Sequence, residues 1–130
     1  MPSIERPLAG EVLEYRLGKD LEELIDAARL ERDGRGARTL VKDGALRVTL
    51  VAVAPGGHIA PHRATGPITV HVVAGDIDFR VGERTHPLEA GDLLALGAGV
   101  EHAVSSRGGG RFLLTVVEPV PEGRPAGDAS

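Results

Sequence analysis

The side chains of this sequence with the widest chemical range are its five histidines. A neutral imidazole can bind a transition metal or carry a proton near neutral pH. Two of the histidines lie in segments punctuated by glycine, His62 in segment 56–75 and His102 in segment 91–102. Glycine favours tight turns because it adopts positive φ without a steric penalty. What these two histidines can do therefore depends on the elements that position them.

Short β runs make up most of the sequence from Ala37 onward. Turn signals such as Asp43-Gly44 separate these runs. Many strands at short spacing are typical of an all-β sandwich or barrel. The predicted strands span residues 38–42, 45–53, 58–63, 68–74, 76–81, 84–88, 93–96, 101–105 and 111–118.

The ends of the chain differ from this strand-rich part. Residues 1–36 form a predicted N-terminal extension with one short helix. The helix begins at Asp20, a good N-cap residue, and Glu23 follows three residues later as in a capping box. Residues 37–118 form the predicted barrel. Residues 119–130, rich in proline, glycine and charge, form a predicted mobile tail.

Several predicted strands are apolar on both faces, as in 45–53 and 111–118. One face of such a strand would fill the barrel. The other face needs cover from the helix, from the N-terminal segment or from a second subunit. On this ground we predict a homodimer.

Composition excludes several classes of function. The sequence has 130 residues, enough for one domain, and a net charge of −4 without a basic stripe, so nucleic acid is not an expected partner. No stretch reaches the roughly 18 apolar residues of a membrane span, and residues 1–6 do not resemble a signal peptide. Cysteine is absent, which suits a cytoplasmic protein.

The glycine spacing carries a family resemblance. Gly56 precedes His62 by five intervening residues and Gly75 closes the first segment, while Gly91 and Gly99 precede His102 in the second. From about residue 37 to residue 117, the chain resembles a small single-domain cupin of the RmlC-like, conserved-barrel type. The resemblance implies a double-stranded β-helix, also called a jelly roll.

The resemblance also implies a metal site, but with a reduced set of ligands. A typical cupin offers three histidines and one glutamate to Mn, Fe, Ni, Cu or Zn. His62 and His102 occupy two of these positions, and Ala64 and Ile68 stand at the other two. His58, four residues before His62, is the candidate replacement, because a regular strand would place both on one face. A straight strand would separate them by about 13 Å, so binding one ion would require a bend.

Three functions remain open at this point. The first is a metal-dependent cupin that acts on a small molecule through His62, His102 and His58. The second is a metal-free binding module, with His62 and His102 as polar anchors. The third is a catalyst that uses one of these two histidines as general acid or base without a metal. In each case, the resemblance and strand alternation predict an apolar pocket lined by Ile68, Val70, Val72, Leu94 and Leu96.

Overall fold

The structure is a computed structural model that describes residues 8–18 and 34–119. Short runs of alternating residues between turns produce eight strands in the described part. They are β1 (Arg35–Asp43), β2 (Leu46–Val53), β3 (His58–His62), β4 (Ile68–Val81), β5 (Arg84–Glu89), β6 (Leu93–Leu96), β7 (His102–Ser105) and β8 (Gly110–Val117). The predicted helix that begins at Asp20 lies outside the described residues, as does most of the predicted tail.

The strands pack as two antiparallel sheets that share the long strand β4. The front sheet contains β1, β2, β8, the first half of β4 and β6. The back sheet contains β3, β7, the second half of β4 and β5. This curled arrangement of two sheets confirms the all-β jelly-roll prediction.

Strand β4 corrects one sequence prediction. The predicted strands 68–74 and 76–81 are not separate, because the chain continues through Gly75 as one 14-residue strand. The register against β8 shifts between Val72 and Ala74, and Gly75 has a φ of 70°. A Cβ atom at Gly75 would collide with the carbonyl oxygen of Gly109. The glycine therefore permits a bulge at which β4 leaves one sheet and enters the other.

Between the sheets lies an apolar core whose members share the inward face of their strands. Its buried residues are Val51, Val53, Ile68, Val70, Val72, Ile77, Phe79, Val104, Phe112 and Val116. Aliphatic side chains predominate because the sequence has only three aromatic residues, one tyrosine and two phenylalanines.

The outer face of the front sheet is covered in part by the N-terminal segment. Tyr15 and Leu17 pack against the buried Leu40 and Leu50, and the Tyr15 hydroxyl donates a hydrogen bond to the carbonyl of Leu40. The expectation that this face needs cover is thus met locally from within the chain. Within the described residues, no helix is long and apolar enough to cross a membrane.

Candidate functional site

The two histidines of the glycine-rich segments meet on the inner face of the back sheet. His62 on β3 and His102 on β7 are direct cross-strand partners. Their ring centroids are 4.3 Å apart and the rings meet edge to face, at an interplanar angle of 62°. Antiparallel pairing places the side chains of such partners on the same face. Two sequence segments 40 residues apart therefore form one histidine pair.

Phe79 on β4 also packs against the ring of His102. The two rings stack with centroids 5.2 Å apart and an interplanar angle of 13°. Phe79 is only 1% exposed and His102 only 5% exposed, whereas His62 is exposed. The pair therefore has one imidazole anchored in the core and one that solvent can reach.

Strand β3 is not regular, and this decides the position of His58. Ile59 pairs with Val104 and His62 pairs with His102, so β3 has one more residue than β7 between these partners. This bulge leaves Ile59 and His62 facing the barrel interior together. His58 lies on the opposite face of the sheet, beside Ser105. The expectation that His58 and His62 share a face is therefore wrong, and the structure does not bring His58 to the pair.

Backbone carbonyls set the tautomer of both histidines. Nδ1 of His62 lies 3.1 Å from the carbonyl oxygen of Ala60, and Nδ1 of His102 lies 3.0 Å from that of Val100. A carbonyl oxygen can only accept, so Nδ1–H is the donor in each ring and Nε2 is unprotonated in the neutral imidazole. Within residues 8–18 and 34–119, neither Nε2 atom forms a hydrogen bond.

Burial lowers the pKa of His102 below its ordinary value of 6.5. Desolvation is the largest cause, because a charged ring loses more hydration than a neutral one. The hydrogen bond to Val100 raises this pKa, and the proximity of His62 lowers it further. His102 is therefore neutral at physiological pH, and its Nε2 can accept a hydrogen bond, bind a metal ion or take up a proton.

The histidine pair forms part of the wall of a cavity of about 510 Å³ between the two sheets. Most of the wall is apolar. The predicted pocket residues Ile68 and Val70 line this cavity. Val72 is fully buried, and Leu94 and Leu96 pack against the core. Leu96 also lines a separate open groove beside Pro67.

Charged side chains also line this cavity. They are Arg35, Arg47, Arg63 and Glu118. The sequence made Arg47 and Arg63 candidates to face an anionic ligand but gave no firm strand face for either, and it did not indicate Arg35 or Glu118. Arg47 lies 3.5 Å from a carboxylate oxygen of Glu118, and Arg63 donates a hydrogen bond of 3.0 Å to the carbonyl of Gly99. Arg47 alternates with Leu46 and Val48 on a strand that is apolar on both faces, so its sequence pattern alone could not show which face points inward.

Comparison with known proteins identifies the family. The sequence model of the cupin domain matches residues 49–118. This chain is a cupin. No curated protein matches it.

Solved structures share the fold of this cupin. A conserved protein of unknown function from Streptococcus pyogenes is 25% identical with a TM-score of 0.66, and the match covers 93% of this chain and 98% of that one. The protein TT1209 from Thermus thermophilus is also 25% identical, with a TM-score of 0.64 over 77% of this chain and 96% of that one. An RmlC-like cupin from Shewanella frigidimarina is 22% identical, with a TM-score of 0.62 and coverages of 69% and 80%.

The side chains of this cupin meet the needs of a metal ion only in part. Tightly bound divalent ions usually have three or four protein ligands. Here His62 and His102 supply two imidazoles, and the apolar Ala64 and Ile68 stand at the other two family positions. In the part of the chain that the structure describes, no group of three or more histidine, cysteine or acidic side chains could hold an ion.

Proposed function

We propose that this cupin binds a small organic molecule in the cavity between its sheets, with His62 and His102 as polar anchors. The supporting observation is the composition of the cavity wall. A volume of about 510 Å³ and a lining in which apolar side chains outnumber the polar ones are typical of small-molecule sites. The stacking of His102 on Phe79 gives one anchor a defined orientation before any ligand arrives.

Filling the cavity tests this proposal. Leu114 lines the cavity and is half-buried, so Leu114→Phe would occupy space that a ligand needs. Small molecules that raise the unfolding temperature of the wild-type protein should bind the variant at least about tenfold more weakly. Calorimetric titration measures this loss directly.

A matched control lies on the outside of the back sheet. Thr85 is exposed and does not line the cavity, so Thr85→Phe adds a similar ring without changing the cavity. Equal binding by the wild-type protein and the Leu114→Phe variant would contradict the proposal. Equal loss in both variants would show a non-specific effect and would contradict it too.

A divalent metal ion is the second candidate ligand, and the histidine tautomers favour it. With each Nδ1–H donated to a carbonyl, each Nε2 has the lone pair that a metal requires. The ion would be Zn, Mn, Fe, Ni or Cu, since imidazole suits these metals. Two protein ligands bind weakly, so the bound molecule or solvent would supply the remaining donors.

Metal titration of protein purified without an affinity tag tests this second candidate. We expect weak zinc binding that is lost in the double variant His62→Ala/His102→Ala. His58→Ala should bind zinc as the wild-type protein does, because His58 lies on the opposite face of the sheet. Zinc binding that survives the double variant would reject the histidine pair as the metal site.

We also propose that the cupin forms a homodimer. The supporting observation is a set of exposed apolar side chains, among them Leu93 at 66% and Val117 at 49% exposure. Sedimentation equilibrium at micromolar concentration should give twice the monomer mass, and monomer alone would reject this proposal.

A further inference from the structure

The charge of the cavity wall is opposite in sign to that of the whole chain. The sequence has 19 acidic and 15 basic residues, for a net charge of −4. The described part of the cavity wall, in contrast, has the guanidinium groups of Arg47 and Arg63 against the single carboxylate of Glu118, and Arg35, which has an interaction of its own, also lines it. A concave, low-dielectric surface concentrates the field of its charges. The cavity therefore attracts anions although the chain as a whole repels them.

Arg47 is the arginine best placed to act on a ligand. It lies in one row with Val116 and Ile68, since Arg47 pairs with Val116 and Val116 pairs with Ile68. All three side chains line the cavity. Ile68 stands where the family resemblance implies an acidic metal ligand. In this row, the cavity wall therefore has an apolar side chain and a guanidinium group in place of a carboxylate.

The carboxylate of Glu118 neutralises Arg47 only loosely. The shortest distance between them is 3.5 Å, and their side chains are 43% (Arg47) and 36% (Glu118) exposed. Exposed pairs of this kind contribute little free energy, because water screens both charges. A ligand carboxylate can therefore compete for the guanidinium group of Arg47. A planar guanidinium with paired N–H donors binds a carboxylate better than an ammonium group does.

The histidine pair presents the complementary chemistry. In the neutral tautomers set by Ala60 and Val100, both Nε2 atoms accept hydrogen bonds rather than donate them. A hydroxyl group on the ligand satisfies such an acceptor. The apolar side chains of the wall suit a hydrocarbon body between the two polar ends.

From these observations we infer that the ligand of this cavity is a small organic carboxylate with an apolar body and a hydroxyl group. The inference rests on the proposed function, since it names the class of molecule that the cavity binds. Arg47 recognises the carboxylate, and Nε2 of His62 or His102 accepts a hydrogen bond from the hydroxyl group. The same wall disfavours organic cations, which its arginines repel.

Three related probes test the inference. They are hydrocinnamate, its neutral amide hydrocinnamamide, and 3-(4-hydroxyphenyl)propanoate, which adds one hydroxyl to hydrocinnamate at the end far from the carboxylate. With EDTA present, we expect hydrocinnamate to bind at least about tenfold more tightly than the amide, and 3-(4-hydroxyphenyl)propanoate to bind more tightly still. Added sodium chloride should weaken binding of both carboxylates but not of the amide, because salt screens the arginines.

Two substitutions that are expected to change the affinity for hydrocinnamate in opposite directions identify the charges that affect its binding. Arg47→Gln should weaken hydrocinnamate binding about tenfold, and Arg47→Lys should restore part of it. Glu118→Gln should strengthen binding several-fold, because it removes the only carboxylate in the described part of the wall. A gain of affinity is a result that structural damage does not produce. Arg84→Gln, on an exposed arginine away from the cavity, is the control and should change nothing.

The outcomes separate this inference from the proposed function. Equal binding of the amide and the carboxylate would overturn the inference and leave small-molecule binding standing. So would equal affinity for hydrocinnamate in Arg47→Gln and Glu118→Gln. If none of the probes changes the unfolding temperature at millimolar concentration, the inference is rejected, and the proposed function is then decided by the comparison of Leu114→Phe with Thr85→Phe.

Discussion

The two faces of the back sheet carry histidines on the same strand and give them different surroundings. On the inner face, His62 pairs with His102, which is buried against Phe79. On the outer face, His58 is exposed and lies beside Ser105 in an open groove that Asp78 and Arg80 also line. The outer groove holds the same classes of polar group as the inner cavity, namely imidazole, hydroxyl, carboxylate and guanidinium.

The burial of His102 distinguishes the candidate site from the outer groove more than the choice of residue types does. Asp78 pairs with Ser105 and Ser105 pairs with His58, so these three side chains stand in a row across adjacent strands. Strands in a sheet are about 4.8 Å apart, which separates the two ends of the row by about 10 Å. The inner pair is in direct contact, is partly desolvated and faces a cavity. Interactions between polar groups are stronger there because the local dielectric is lower.

The largest expected effect comes from removing the aromatic ring that packs against His102 on the inner face. Phe79→Ala removes a side chain that is 1% exposed and stacks on His102. We expect the free energy of unfolding to fall by about 3–5 kcal/mol, because a large buried ring leaves a cavity. Urea denaturation measures the change. Thr85→Ala, on the outer groove, should change it by less than about 0.5 kcal/mol; a similar loss in both would contradict the contrast between the faces.

A smaller effect concerns pH. Because the pKa of His102 is lowered in the folded protein, the unfolded chain binds more protons at this position as pH falls below 6.5. The contribution of His102 to the free energy of unfolding is therefore complete above pH 6.5 and is lost as the pH falls below that value. His102→Gln should flatten the decline in the free energy of unfolding between about pH 7 and about pH 5.

The matched control for this pH effect is His58→Gln, which should keep the wild-type decline. Denaturation curves at several pH values compare the three proteins. If His58→Gln flattened the decline and His102→Gln did not, burial on the inner face would not be its cause.

The smallest expected effect is that of a substitution on the outer face. His58 is exposed, so His58→Ala should change the free energy of unfolding by less than about 0.5 kcal/mol. It should also leave the affinity for hydrocinnamate unchanged, since the side chain does not line the cavity. Thermal denaturation and calorimetry measure the two quantities. A loss of hydrocinnamate affinity in this variant would mean that the two faces are coupled.

Much of the fold could be predicted from the sequence because its signals are local. Glycines at turns and alternating apolar residues indicate strands, and the spacing of Gly56, His62, Gly75 and His102 matches a cupin. The continuous strand β4 could not be predicted in this way. At Gly75, the sequence signal for a turn between strands is the same as that for a bulge within one strand, and only packing against Gly109 distinguishes them.

The candidate site could be predicted only in part, for a similar reason. Parity arguments assume regular strands, and the bulge between Ile59 and His62 reverses the face of His58. Pro61 is consistent with an irregular strand, since proline within a sheet often lies at a bulge or an edge. Its presence does not give the direction in which the register of β3 shifts. Arg35 and Arg47 likewise became cavity residues only once the pairing of β1, β2 and β8 was known.

By itself, the sequence determined the cupin family, the all-β class and the two segments that contain His62 and His102, because turn glycines and residue spacing are encoded along the chain. Only the tertiary structure decided that these two rings touch, that His58 faces away from them and that arginines share their cavity. Those properties depend on register across strands and on burial, and a one-residue bulge can change both without changing the local pattern.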